Sequence, residues 1–194
     1  GNGGQAGLTA IREELGNCTR CRLASGRIQL VFGQGDPDAD LMFIGEAPGR
    51  DEDIAGEAFV GAAGQLLTKM IGAMGLSREK VFIGNIIKCR PPRNRDPEPE
   101  EMSTCGPFIR AQIKAIRPQV IITLGRIAAQ DLLATDAPVG RLRGRFHTLR
   151  VDDLEIPLMP TYHPAYLLRN EGAKRPVWED LKQVIALLKE KGIL

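Results

Sequence analysis

The chain has 194 residues, 43% of them hydrophobic and 26% charged, with a formal net charge of +2. That is enough apolar material for one packed domain, and the small net charge does not by itself announce a nucleic-acid partner. No apolar run approaches the roughly 18 residues a membrane span needs and no signal-peptide pattern is visible, so no membrane partner is expected and a cytoplasmic, nucleoid-associated location is.

In chain order, "GNGGQAG" (1–7) reads as a flexible leader to a domain over 8–194. "LMFIG" (41–45) is the first buried strand, inside a segment rich in acids from Asp36 to Glu57. "GQLLTKMIGAMG" (64–75) sets Leu66, Leu67, Met70, Ile71 and Met74 on one helical stripe. "VFIGNII" (81–87) is a second strand, followed by the basic "KCRPPRNR" with Lys88, Arg90, Arg93 and Arg95. A helix opens at "EPEEMST" and is expected to break at Pro107 before resuming through "FIRAQIKAI". "VIITLG" (120–125) is a third strand and "RIAAQDLL" (126–133) a short helix. "GRFHTLRVDDLEIPLMP" reads as a hairpin leading into the last strand (156–160), and "PVWEDLKQVIALLKEKG" (176–192) is the clearest amphipathic helix. Strands alternating with helices predict an α/β fold: one domain, a three-layer α/β/α sandwich around a central, mostly parallel four-stranded sheet.

Ligands of open α/β sheets sit outside the carboxyl ends of the strands. Here the segments just past the strands are "GEAPGRDED", "NIIKCRPPRNR", "LGR" and "TYHPAYLLRN", and they hold the chemically capable groups. The first carries no phosphate-cradling glycine motif, and its acids Glu46, Asp51, Glu52 and Asp53 would repel a phosphate. Gly45, Pro48 and Gly49 favour a tight turn that brings main chain close to a flat ligand. Phe59 is either a core residue under that loop or a stacking platform.

Four cysteines, at 18, 21, 89 and 105, are spaced C-x2-C and then C-x15-C. With no secretion signal they read as thiolate ligands rather than disulfides, and the spacing suits structural zinc or an iron–sulfur cluster equally. His147 falls in the hairpin and reads as a packing residue; His163, after the last strand and before Pro164, is better placed to meet a ligand. Asn85 sits near the end of its strand, where its amide would either satisfy backbone groups or read a nucleobase edge.

Taken in order, "GEAPGRDEDIAGEAFVGAAGQLL", "NIIKCRPPRNRDP", "ITLGR" and "TYHPAYLLRN", with the four cysteines, closely resemble the family 4 uracil-DNA glycosylases, the iron–sulfur-bearing bacterial and archaeal type, over about Cys18 to Leu188. The resemblance implies a monomeric DNA-repair enzyme that flips uracil from DNA and hydrolyses its N-glycosidic bond, leaving an abasic site. Phe59 would stack on uracil, Asn85 would bond its edge, backbone around Glu46 and Ala47 would flank it, and His163 would sit against O2. Arg90, Arg93, Arg95, Tyr166 and Arg169 would contact DNA, with Leu167 as the wedge filling the vacated stack. Cys18, Cys21, Cys89 and Cys105 would bind a 4Fe–4S cluster.

The chain has Ala47 where better-known uracil-DNA glycosylases carry a water-activating aspartate, an absence family 4 shares; Glu46, then Glu52, are the candidates to position water instead. It also has Gly49 where those enzymes carry a thymine-excluding tyrosine, and Asp51–Asp53 are expected to fill that space. No histidine follows Asn85 in "KCRPPRNRDP", so turnover rather than a covalent DNA adduct is expected.

Overall fold

A computed structural model describes residues 3–194. Residues 1–2 of the expected leader lie outside it, and from Gly3 the chain is already helical: α1 spans Gly3–Leu15 and buries Leu8, Ile11 and Leu15. The helix starts inside the glycine-rich stretch because Gly4 packs against the Pro37–Asp38 turn, where a side chain would collide with the Pro37 carbonyl.

Among the described residues the sheet has six strands, not four, and is mixed. They are β1 (Gln34–Gly35), β2 (Leu41–Gly45), β3 (Phe82–Asn85), β4 (Val120–Leu124), β5 (His147–Val151) and β6 (Leu154–Thr161), in the spatial order β1-β3-β2-β4-β6-β5. The central pairs β3/β2, β2/β4 and β4/β6 are parallel, whereas β1 and β5 cap the two edges antiparallel. Two residues of β1 are too short to leave a hydrophobic pattern, and β5 is the outer arm of the expected hairpin, turned at Asp152–Asp153.

Alternation along the buried strands sends side chains to two cores. Met42, Ile44 and Ile121 face α1, α4 (Pro99–Ile116) and α5 (Arg126–Leu133). Leu41, Phe43 and Ile122 face α3 (Ala62–Ala73) and α8 (Lys174–Glu190). Three layers result. The expected break at Pro107 does not occur: α4 runs through it, because Pro107 lies on the exposed side, where the hydrogen bond it cannot donate is not a buried loss. Among the described residues no helix is long and apolar enough to cross a membrane.

Candidate active site

The tip of β3, the segment just past β6 and the loop before α3 bring three side chains, Asn85, His163 and Phe59, to one cavity of about 580 Å³. Asn85 is the last residue of β3 and lies beside Gly45, the last of β2, in parallel register. Gly45 has no room for a side chain: a Cβ there would stand 2.6 Å from both Asn85 Oδ1 and Phe59 Cζ. The amide and the phenyl ring therefore converge over one bare Cα. His163 follows β6, and its ring centroid is 5.6 Å from that of Phe59, with the planes tilted by 31°. Gly125, at φ +89°, lets the β4–α5 turn pass behind His163.

Asn85 is 2% exposed, and its Oδ1 accepts no hydrogen bond among the described residues. A buried carbonyl oxygen without a donor costs about 1–3 kcal/mol, so Asn85 Oδ1 has unused capacity to accept one. His163 is the N-cap of α7 (Pro164–Arg169), where Pro164 at the first helical position lacks an N–H and the Ala165 N–H bonds Nδ1 at 3.0 Å. Nδ1 is thus the unprotonated nitrogen, and Nε2 carries the hydrogen. Burial pushes the imidazole down to about 4, with the Glu52 charge opposing and Arg169 assisting. It is a neutral donor.

Glu46 and Ala47 line the same cavity. Burial, then the neighbouring Asp96 carboxylate, raises Glu46 to about 7 despite Arg126. Arg126 Nη2 holds Asp96 Oδ2 at 2.8 Å, and this pair beside Glu46 was not singled out from the sequence, although Arg126 opens α5 directly beyond a strand tip, the position that marks the other site residues.

Glu52 also borders the cavity, but its carboxylate is already committed: Oε1 accepts the Gly49 N–H at 3.1 Å, and Oε2 the Val60 and Gly61 N–H groups at 2.9 and 2.8 Å. It ties α2 (Arg50–Ala55) to the start of α3 and is withdrawn as a water-positioning group. Asp53 is buried and accepts from the Ile28 and Gln29 N–H groups, so it does not fill the space beside Gly49; Asp51 does border the cavity.

Leu167 is 1% exposed and belongs to the core beneath α7, so it is not a wedge. The neighbouring Leu168 is 51% exposed and Tyr166 40%, with Tyr166 stacked on Tyr162 at 5.0 Å. Tyr166 and Arg169 border the cavity mouth. Arg93 is exposed on the loop past β3, and Arg90 donates to Asn94 Oδ1 at 2.8 Å. The Arg95 guanidinium is closed on buried Glu101, with Nη1 and Nη2 each 2.8 Å from a carboxylate oxygen, and shapes that loop. Lys88, part of the basic run, is fully buried and donates to the carbonyls of Phe32 and Asn85 and to Gln112 Oε1. It is an internal tie, and burial lowers it to about 8.

Cys18, Cys21, Cys89 and Cys105 are free thiols lining a second, apolar pocket. Donors approach the sulfurs: Arg20 to Cys18 at 3.2 Å, Arg27 to Cys89 at 3.3 Å and the Lys88 N–H to Cys105 at 3.4 Å. Lys88 and Cys89 lie three and four residues beyond Asn85, so one segment leaving β3 serves both this pocket and the main cavity.

The sheet is covered on both faces and brings an amide, an imidazole and an aromatic ring together at one end, and the chain belongs to the uracil DNA glycosylase superfamily, whose family model matches residues 32–182. Within it the chain is similar to proteins named type-4 uracil-DNA glycosylase. That of Saccharolobus solfataricus is 45% identical over 96% of this chain and 88% of its own length. Those of Archaeoglobus fulgidus and Thermotoga maritima are 42% and 40% identical, each over 95% of this chain and 94% and 96% of theirs.

Proposed function

We propose that the protein excises uracil from DNA, hydrolysing the bond between uracil N1 and the deoxyribose C1′. What carries this reading is the convergence of the Asn85 amide and the Phe59 ring over Gly45, beside a His163 whose hydrogen is confined to Nε2. A base inside a duplex cannot present C1′ to water, so it is extruded, at a cost of a few kcal/mol.

In the cavity the pyrimidine lies against Phe59. Asn85 Oδ1 accepts the N3–H, which satisfies its buried oxygen, and the amide NH₂ donates to O4. As the N1–C1′ bond breaks, its electron pair stays on uracil. The Nε2–H of His163 bonds O2, where that charge gathers; a preorganised donor of this kind typically contributes about 10²–10³ in rate. Water adds to the resulting sugar cation and gives up its proton to Glu46, a carboxylate whose affinity for protons is matched to neutral pH. Arg93 and Arg169 contact phosphates around the mouth, and Leu168, exposed beside Tyr166, takes the wedge role in the vacated stack.

The thiol pocket suits an iron–sulfur cluster. Four cysteines line one apolar pocket, and N–H donors to sulfur are the usual surroundings of such clusters. Cys18, Cys21, Cys89 and Cys105 would hold it, and bound there it would cross-link the loops beside the cavity. The protein acts as a monomer in this reading. Incubation with a uracil-containing duplex followed by alkali tests it: strand cleavage at the uracil position, lost in Asn85→Ala, is expected, and an intact strand refutes the activity.

A further inference from the structure

Phe59 has φ +55°, a left-handed backbone that an aromatic residue seldom adopts. The ring is buried against Gly45 and His163, so its orientation in the cavity follows from that backbone. Next to it an open cleft of about 300 Å³ offers the Ala58–Val60 segment room to relax. Side chains from outside the main cavity oppose that relaxation. Arg78, in the turn before β3, donates from Nη1 to the Phe59 carbonyl at 2.9 Å and from Nη2 to the Ala58 carbonyl at 2.7 Å. The same guanidinium reaches Thr68 Oγ1 on α3 at 3.1 Å. From β1, Gln34 brackets Ala58, accepting its N–H at 3.0 Å and donating to its carbonyl at 2.8 Å. Arg78 is half-buried, and the sequence offered no reason to connect it with a phenylalanine 19 positions earlier.

We infer that Arg78, assisted by Gln34, is a positioning residue for uracil release: it locks Phe59 in its left-handed conformation and so fixes the face against which the base packs. The inference rests on the proposed role of Phe59 and adds the device that enforces it. Strained backbone at a functional site persists only where its surroundings over-determine it, and here four hydrogen bonds from two side chains hold the Ala58–Phe59 backbone while a fifth anchors Arg78 to Thr68.

The test is a double-mutant cycle in single-turnover uracil release from a duplex oligonucleotide, with Arg78→Met, Phe59→Ala and the combination. Arg78→Met should slow release on the order of ten-fold with DNA affinity nearly unchanged. Phe59→Ala should slow it as well, and the double variant should be no slower than Phe59→Ala. Arg78→Lys, which keeps one donor for a carbonyl, should recover part of the rate. Losses that multiply across the cycle, or an unimpaired Arg78→Met, overturn the clamp. A Phe59→Ala protein as fast as the parent overturns the role of Phe59 itself. If Arg78→Met does not fold, Gln34→Leu enters the same cycle under the same criteria.

Discussion

The backbone N–H of Ala165 donates to Nδ1 of His163 at 3.0 Å, and this one bond decides which end of the imidazole can serve a ligand. Held at about 4 by burial, His163 remains neutral through the physiological range. Replacing it with alanine should lower the single-turnover rate by about 10²–10³. Nitrogen NMR of His163, its signal assigned by its loss in His163→Phe, should show the Nε2–H tautomer unchanged from neutral pH down to about 5. Titration of that signal near 6.5 would contradict the assignment.

Folding stability should carry the same signature. The unfolded chain takes a proton at His163 below its ordinary 6.5, and the folded protein only near 4, so this residue removes stability as pH falls between those values. Urea midpoints should fall less steeply across that window in His163→Phe than in the parent.

Glu46 titrates in the opposite sense. It ionises at its ordinary 4.5 when unfolded but near 7 in the folded protein, so stability is lost as pH rises from 4.5 to 7. Glu46→Gln should therefore be more stable than the parent above pH 7 while releasing uracil more slowly. Its rate should also lose the rise with pH that the parent shows around 7.

Adjacent leucines in α7 should behave oppositely. Leu167→Ala opens a core cavity and should cost about 2–5 kcal/mol of stability, read from denaturant unfolding. Leu168→Ala should leave the unfolding midpoint unchanged and slow excision from paired duplex more than from single strands, because only the duplex has a stack to refill.

Purified protein should be brown, with iron and acid-labile sulfide in equal amounts and little zinc. Cys89→Ala should lose the colour and melt at lower temperature, since its sulfur joins the exit of β3 to the loop holding Cys18, where Arg27 bridges the Cys89 sulfur and the Cys18 carbonyl. A colourless parent protein with one zinc per chain would refute the cluster.

Much of this was legible in the chain. β2 and β4 are buried at every position and nearly all apolar, as strands covered on both faces must be, and runs of this kind marked the sandwich and the ends of β3 and β6, where Asn85 and His163 stand. What escaped was relational. A helix of six residues does not reveal which of two neighbouring leucines faces inward, and a carboxylate in a motif does not reveal whether it serves a ligand or, like Glu52 and Asp53, the backbone of a distant turn. Arg78 meets Phe59 only once β1, β3 and α3 have assembled around them.

The strands that carry Gly45 and Asn85 and lead into His163 lie inside the sheet, with antiparallel β1 and β5 as its borders. Fraying on warming begins at borders and spares interiors until the whole domain gives way. Catalytic competence and the native state should accordingly vanish together in one transition, leaving no range of temperature in which a folded chain has already forgotten its substrate.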